Sequence, residues 1–224
     1  MSRCFRFHLY VFLRAWWLPL MLAVFPLLMG WEAAAACGSY VRRLGRQAPE
    51  TTLALLLDLR HFIPLAGAVW SGLFLGMDFP ARGVNVLLSR GFNRFRVFGS
   101  KYVLFLTGCA IMSLLEQGFA LLLSVPLWKD VSALLLLRNG GLRMLLDLGM
   151  MVLPSVFPLL GKGNVYLRLP GLVYGLVLWR LMGAHYGLWL PVWSGPPGWG
   201  ELWPLPALAL GIGGSALALR RAEV

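Results

Sequence analysis

The chain has 224 residues, of which 59% are hydrophobic and 13% charged, with a mean hydropathy of +0.74. A soluble domain of this length needs a far more charged surface, so the composition argues against a soluble globular fold and for a membrane protein. The formal charge of +11 comes from basic residues that flank apolar runs, which directs them to anionic lipid headgroups and away from nucleic acid.

The apolar runs are continuous and lack the alternation of a barrel strand, so the expected fold is all-α. Six spans are expected, each near the 20 residues that cross about 30 Å of hydrocarbon as helix. The first covers residues 15–36, preceded by Arg3, Arg6 and Arg14. Pro19 and Pro26 interrupt this run, and the long region ahead of it does not resemble a cleaved signal peptide, although the alanines at 33–36 resemble a cleavage site. The second span covers 59–77 and the third 102–123, the cleanest, with Glu116 as its single formal charge. The fourth covers 142–160 and contains Arg143, Asp147, Pro154 and Pro158. The fifth and sixth cover 167–190 and 202–219. The leucines at 134–137 form a run too short to cross, expected at the interface ahead of the fourth span. Pro191, Pro196, Pro197 and Pro204 with Trp193, Trp199 and Trp203 mark a turn-rich loop at the outer interface.

Orientation follows the Lys/Arg distribution. With both termini cytoplasmic, twelve basic residues lie inside and eight lie outside or at ambiguous positions. The decisive feature is the connection between spans two and three, where Arg82, Arg90, Arg94, Arg96 and Lys101 crowd one short segment. Arg42, Arg43 and Arg46 run against the rule. They belong to an outer helix, face a charged ligand, or mean that the first span is not a simple crossing.

Catalytic motifs are absent. Gly161-Lys162-Gly163 lacks the upstream glycine of a phosphate-binding loop, and the HExxH, EF-hand and GxSxG patterns do not occur. His8, His61 and His185 lie in different segments, as do Cys4, Cys37 and Cys109, without metal-ligand spacing. The chemistry-bearing candidates are the charges inside spans. Glu116 lies deep in the third, and Asp147 in the fourth, one turn from Arg143. They make structural contacts between helices or belong to a translocation path. Gly67 with Ser71, Gly72 with Gly76, and Gly211 with Ser215 stand four apart, a spacing that lets helices approach closely.

The segment 76–101 resembles the cytoplasmic coupling region of the permease subunits of ABC-2-type exporters, in particular the small six-span permeases of bacterial peptide or antibiotic export and immunity. The likeness rests on the short link through Asp78 and Pro80, on Arg82-Gly83, and on Ser89-Arg90-Gly91. It continues through Asn93-Arg94-Phe95-Arg96 to Lys101, which opens the next span. Val84 stands where the family has threonine. The basic and acidic tail, Arg220, Arg221 and Glu223, is also similar.

The resemblance implies a polytopic membrane protein with six transmembrane helices in an ABC-2 (type V exporter-like) permease fold. Residues 1–224 would form a single transmembrane domain, with 78–100 as its cytoplasmic coupling segment. Asp78, Arg82, Gly83, Arg90, Arg94, Arg96 and Lys101 would then couple to a cytoplasmic ABC ATPase that holds ATP and Mg. This chain would bind no cofactor and perform no catalysis itself. Its other partners would be membrane lipids and a second copy of itself or a paralogous permease, in a bacterial cell membrane. The cargo would be a hydrophobic or amphipathic molecule such as a peptide or antibiotic. The alternatives are a non-transport membrane scaffold, sensor or immunity protein, and an intramembrane enzyme whose groups would have to converge in one cavity.

Overall fold

The computed structural model describes residues 2–44, 63–75, 91, 93–128, 132–160, 172–173, 176–177 and 204–221. Among them the chain is helical, without strands. In order come α1 (Ser2–Arg14), α2 (Trp17–Leu44), α3 (Ile63–Phe74), α4 (Arg94–Leu123), α5 (Val125–Trp128) and α6 (Ala133–Val152). A 3-10 turn, Leu153–Ser155, leads to α7 (Val156–Leu160), and α8 (Pro204–Arg221) closes the described chain.

The amino-terminal region differs from a tail that merely flanks the first span. Residues 2–14 form an amphipathic helix of their own, with Cys4 and His8 buried and Arg3, Arg6 and Arg14 exposed. It breaks at Ala15–Trp16, where the Leu18 amide turns back to the Ala15 carbonyl at 2.8 Å. Pro19 then falls in the first turn of α2, where a missing N–H costs no helical bond. Pro26 is buried inside α2, and the helix passes through it without ending. The helix also continues past the expected end of the span to carry Arg42 and Arg43, so those arginines stand on an extension of the same helix.

α4 is the centre of the bundle, touching α1, α2, α3 and α6. It begins two turns ahead of the expected third span. The carbonyl of Asn93 accepts the amides of Arg96 and Val97 at 2.9 and 3.1 Å, which starts the helix. Gly91 precedes it with φ +80°, a left-handed conformation that disfavours a side chain. At 30 residues, α4 measures about 45 Å, longer than the hydrocarbon core.

α6 differs from the expectation in its start. The leucines at 134–137 do not precede the span; they form the first turns of the same 20-residue helix. Its far end, Met150, Met151 and Val152, is fully buried and forms the hub of the core with Phe105. Small residues bring two neighbours onto that hub. Gly67 of α3 packs so tightly on Met151 that an added Cβ would lie 2.8 Å from its carbonyl oxygen. Gly211 of α8 would place one 2.8 Å from Val152 Cγ1. The spacing of Gly67 and Gly211 in the sequence therefore has a packing cause, whereas Gly72 faces open space.

Two helical stretches, Trp17–Ser39 and Arg96–Leu123, are long and apolar enough to cross a membrane. Their outer faces expose large apolar side chains, including Leu28 and Trp31 on α2 and Leu114 and Leu122 on α4. Leu65–Phe74 and Leu208–Leu217 are shorter apolar helices. The expected spans at 59–77 and 202–219 overlap α3 and α8. Apart from residues 172–173 and 176–177, which are helical, the expected fifth span lies outside the described residues, as does the turn-rich loop after it.

Candidate functional site

One face of α4 is buried along almost its whole length, and it changes chemistry twice. Near its start lie Val97, Ser100 and Lys101; then come Leu104, Phe105, Gly108, Cys109 and Met112; then Ser113, Glu116 and Gln117. The steps of three and four keep these side chains on one stripe. Two polar patches about 22 Å apart (Lys101 to Glu116, at 1.5 Å per residue) are therefore separated by an apolar stretch.

The inner patch joins α4 to α6. Ser113 Oγ donates to Asp147 Oδ2 at 2.7 Å, and Gln117 Nε2 donates to the same oxygen at 3.3 Å and to Ser113 Oγ at 3.2 Å. Glu116 and Asp147 are each 1% exposed. A buried carboxylate needs such donors, because the low-dielectric interior strips its hydration. The patch is walled by close approaches. A Cβ at Gly30 of α2 would stand 2.7 Å from the Glu116 carbonyl oxygen, and one at Gly140 of α6 would stand 3.4 Å from Gln117 Oε1. Ala33, Cys37 and Ala120 fill the space beside that crossing.

The outer patch joins α4 to α1 and α3. The Val97 carbonyl accepts both His8 Nε2 at 3.1 Å and Ser100 Oγ at 2.8 Å. A carbonyl only accepts, so the Nε2 of His8 carries the proton. Lys101 is 4% exposed, with its Nζ 5.2 Å from the centroid of the Phe74 ring. Phe74 stacks on Trp70 at 5.1 Å, and Phe12 of α1 meets both rings edge-on. Trp70 Nε1 donates to the Phe105 carbonyl at 3.5 Å, and its indole sits where Gly108 leaves room for it.

A third polar contact ties α4 to the end of α6 and to α8. Ser155 Oγ donates its one proton to the Val152 carbonyl at 2.6 Å. It therefore accepts from Tyr102 Oη at 3.2 Å and from Ser215 Oγ at 3.1 Å. The hydroxyl of one serine thus pins three elements at the break after α6.

Of the residues singled out in the sequence, Glu116 and Asp147 are both buried at the α4–α6 patch. Arg143 lies on α6 one turn before Asp147, with its side chain outside the described residues. Asp78, Arg82, Gly83 and Arg90 also lie outside them. Arg94 begins α4 in the backbone, Arg96 is exposed on its first turn, and Lys101 points into the bundle. Ser113 and Gln117 were not singled out, although they stand four apart on the same stripe, Ser113 three residues before Glu116 and Gln117 directly after it. Tyr102, Ser155 and Ser215 were also missed, and nothing local in the sequence joins residues so far apart. Among the described residues no group of three or more His, Cys, Asp or Glu is placed to hold a metal ion.

Comparison with protein families, with curated proteins and with solved structures finds no match for this chain.

Proposed function

We propose that this chain is the transmembrane subunit of an ATP-driven exporter, embedded in a bacterial membrane and moved by a separate cytoplasmic ATPase that binds ATP and Mg. The observation that carries this reading is the continuity of α4. One unbroken helix runs from exposed Arg96, past inward-facing Lys101, to the carboxylates at the α4–α6 patch. A helix transmits axial and tilting displacement as a rigid rod over such a length. A partner that grips the basic segment ahead of α4 therefore displaces Glu116 relative to Asp147 without any local unfolding.

Arg90, Arg94 and Arg96 supply the charge for that grip, pairing with acidic side chains on the ATPase. The resemblance assigns Asp78, Arg82 and Gly83 to the same coupling segment. Lys101 acts inside the bundle, holding the first turns of α4 against Phe74 and so against α3. The exported molecule is hydrophobic or amphipathic, such as a peptide or antibiotic, and enters between helices whose outer faces are apolar.

The test is purification of the tagged chain from its native membrane, with partners identified and ATP hydrolysis assayed. The same purification is run with Arg90, Arg94 and Arg96 reversed to Glu. A stoichiometric ATPase that is lost in the reversed variant, at unchanged thermal stability, is the expected result. A chain that purifies alone, or with a partner that hydrolyses no nucleotide, overturns the transport reading and leaves a scaffold or sensor.

A further inference from the structure

The helix that carries Asp147 is broken at a fixed point. α6 ends at Val152, Leu153–Ser155 tighten into a 3-10 turn, and α7 resumes at Val156. A tightened turn inside a helical run is a common place for bending. Two prolines set it here. Pro154 has no N–H to give the Met150 carbonyl, and Pro158 has none to give that of Pro154. The Val152 carbonyl takes the Ser155 hydroxyl at 2.6 Å, a bond that lies wholly within the break. α8 lies across the break and presents glycines to both sides of it. An added Cβ would stand 2.8 Å from Val152 Cγ1 at Gly211 and 3.1 Å from Val156 Cγ2 at Gly214. Bare backbone at both contacts lets α6 and α7 turn against α8 without interlocking side chains there.

We propose that Leu153–Ser155 is a hinge about which α7 swings relative to α6, and that the Ser155 hydroxyl is its latch. The latch is closed by Tyr102 Oη of α4 at 3.2 Å and Ser215 Oγ of α8 at 3.1 Å, both donating to Ser155 Oγ. Ser155 and Ser215 are buried and Tyr102 is half-buried, so water does not compete freely for these bonds. The bond from Ser155 to Val152 stays within the hinge and holds whether the latch is closed or open. Opening therefore exchanges only the two outer contacts. Neutral hydrogen bonds of this kind contribute little net free energy each, so the closed and open arrangements lie close together. Tyr102 stands on α4, the rod that the export reading sets in motion, and withdrawal of its hydroxyl is the event that frees α7. The inference rests on that reading for its trigger; the hinge itself stands without it.

The full chain in lipid vesicles, with Cys4, Cys37 and Cys109 replaced by Ala, carries spin labels at Leu137→Cys and Phe157→Cys. These positions stand about 30 Å apart across the break, at 1.5 Å per residue. Labels at Leu114→Cys and Leu137→Cys form the control pair, which reads α4 against α6 without crossing the break. Pulsed electron resonance reads the distances. Tyr102→Phe removes one latch contact and leaves the hinge intact. It should raise the share of a second, shifted distance across the break roughly two- to tenfold over the unaltered chain. Adding Pro154→Ala, which returns an N–H to the Met150 carbonyl, should suppress that second distance, and the control pair should keep its distance throughout. Three results each overturn the hinge: a distribution unchanged in both Tyr102→Phe and Ser215→Ala, a second distance that survives Pro154→Ala, and a control pair that shifts in parallel. A chain that purifies without an ATPase yet shows the second distance overturns the export reading and keeps the hinge. An ATPase bound to a chain with one rigid distance overturns the hinge alone.

Discussion

Replacing Gly30 by Ala tests whether α2 and α4 cross where the structure places them. The new Cβ would lie 2.7 Å from the Glu116 carbonyl oxygen and 3.1 Å from the Ala120 amide nitrogen. Both are backbone atoms of α4, so no rotamer change relieves the overlap and the helices must part by about half an ångström. A gap of that size forfeits about a quarter of each dispersion well of about 0.15 kcal/mol. Over some tens of atom pairs at the crossing, the loss reaches about 1 kcal/mol, at the lower end of the cost of overpacking a core. Gly38 provides the control within the same helix. Nothing lies within 4 Å of a Cβ built there, so Gly38→Ala meets no obstacle and removes a helix-weakening glycine, worth roughly 0.5–1 kcal/mol in the opposite direction. Thermal unfolding of the two purified variants in one detergent reads the difference. Gly30→Ala gains the same helix contribution and loses it to the overlap, so its Tm should lie about 2–4 °C below that of Gly38→Ala, which should hold or raise Tm. A Gly30→Ala protein as stable as the Gly38→Ala protein refutes the crossing, and with it the wall of the carboxylate patch.

Asp147→Asn keeps an acceptor for the hydroxyl of Ser113 while removing the charge. On the transport reading, Tm changes by only a few degrees while ATP hydrolysis by the reconstituted complex falls at least about tenfold; hydrolysis at the unaltered rate would assign the patch a purely structural role. Ser155→Ala removes the acceptor shared by half-buried Tyr102 Oη and buried Ser215 Oγ and leaves those two hydroxyls only each other, so one donor goes unsatisfied, whereas Ser215→Ala leaves Ser155 bonded to Tyr102 and to the Val152 carbonyl. At roughly 1–3 kcal/mol for each unsatisfied group, Ser155→Ala should be the more destabilising by 1 kcal/mol or more in denaturant unfolding, and the reverse order refutes the assignment of donors.

The sequence made the helical class legible because continuous apolar runs without alternation leave little else for the chain to form. It also marked Glu116 and Asp147, since charges inside such runs are conspicuous. It did not mark the helix limits. The start of α4 is set by the Asn93 carbonyl and the turn at Gly91, which lie in polar sequence outside the apolar window. The leucines at 134–137 join α6 because helical hydrogen bonding continues through Asn139 and the glycines after it, residues whose propensity alone would end a helix. α1 escaped notice for a related reason. Its apolar residues are interleaved with arginines at helical spacing, so mean hydropathy conceals a face that buries Cys4 and His8.

The two polar patches gain meaning from the stretch between them. Val97, Lys101 and their partners tie the start of α4 to α1 and α3, while Ser113 and Gln117 tie its later turns to α6. Between them Phe105, Cys109 and Met112 are tightly packed, and Gly108 receives the Trp70 indole. Close packing of this kind yields in discrete steps instead of bending continuously. On the transport reading, displacement of the outer patch by a partner would therefore arrive at the inner patch almost undiminished, as a change in how Ser113 and Gln117 face Asp147. Tyr102 directly follows Lys101 of the outer patch, and its hydroxyl contact with Ser155 holds the end of α6 to the same rod. Movement of α4 relative to α6 must break that contact or carry the end of α6 with it. The Ser155 hub is for this reason the element that decides between a rotation of α4 alone and a concerted shift of α4, α6 and α8.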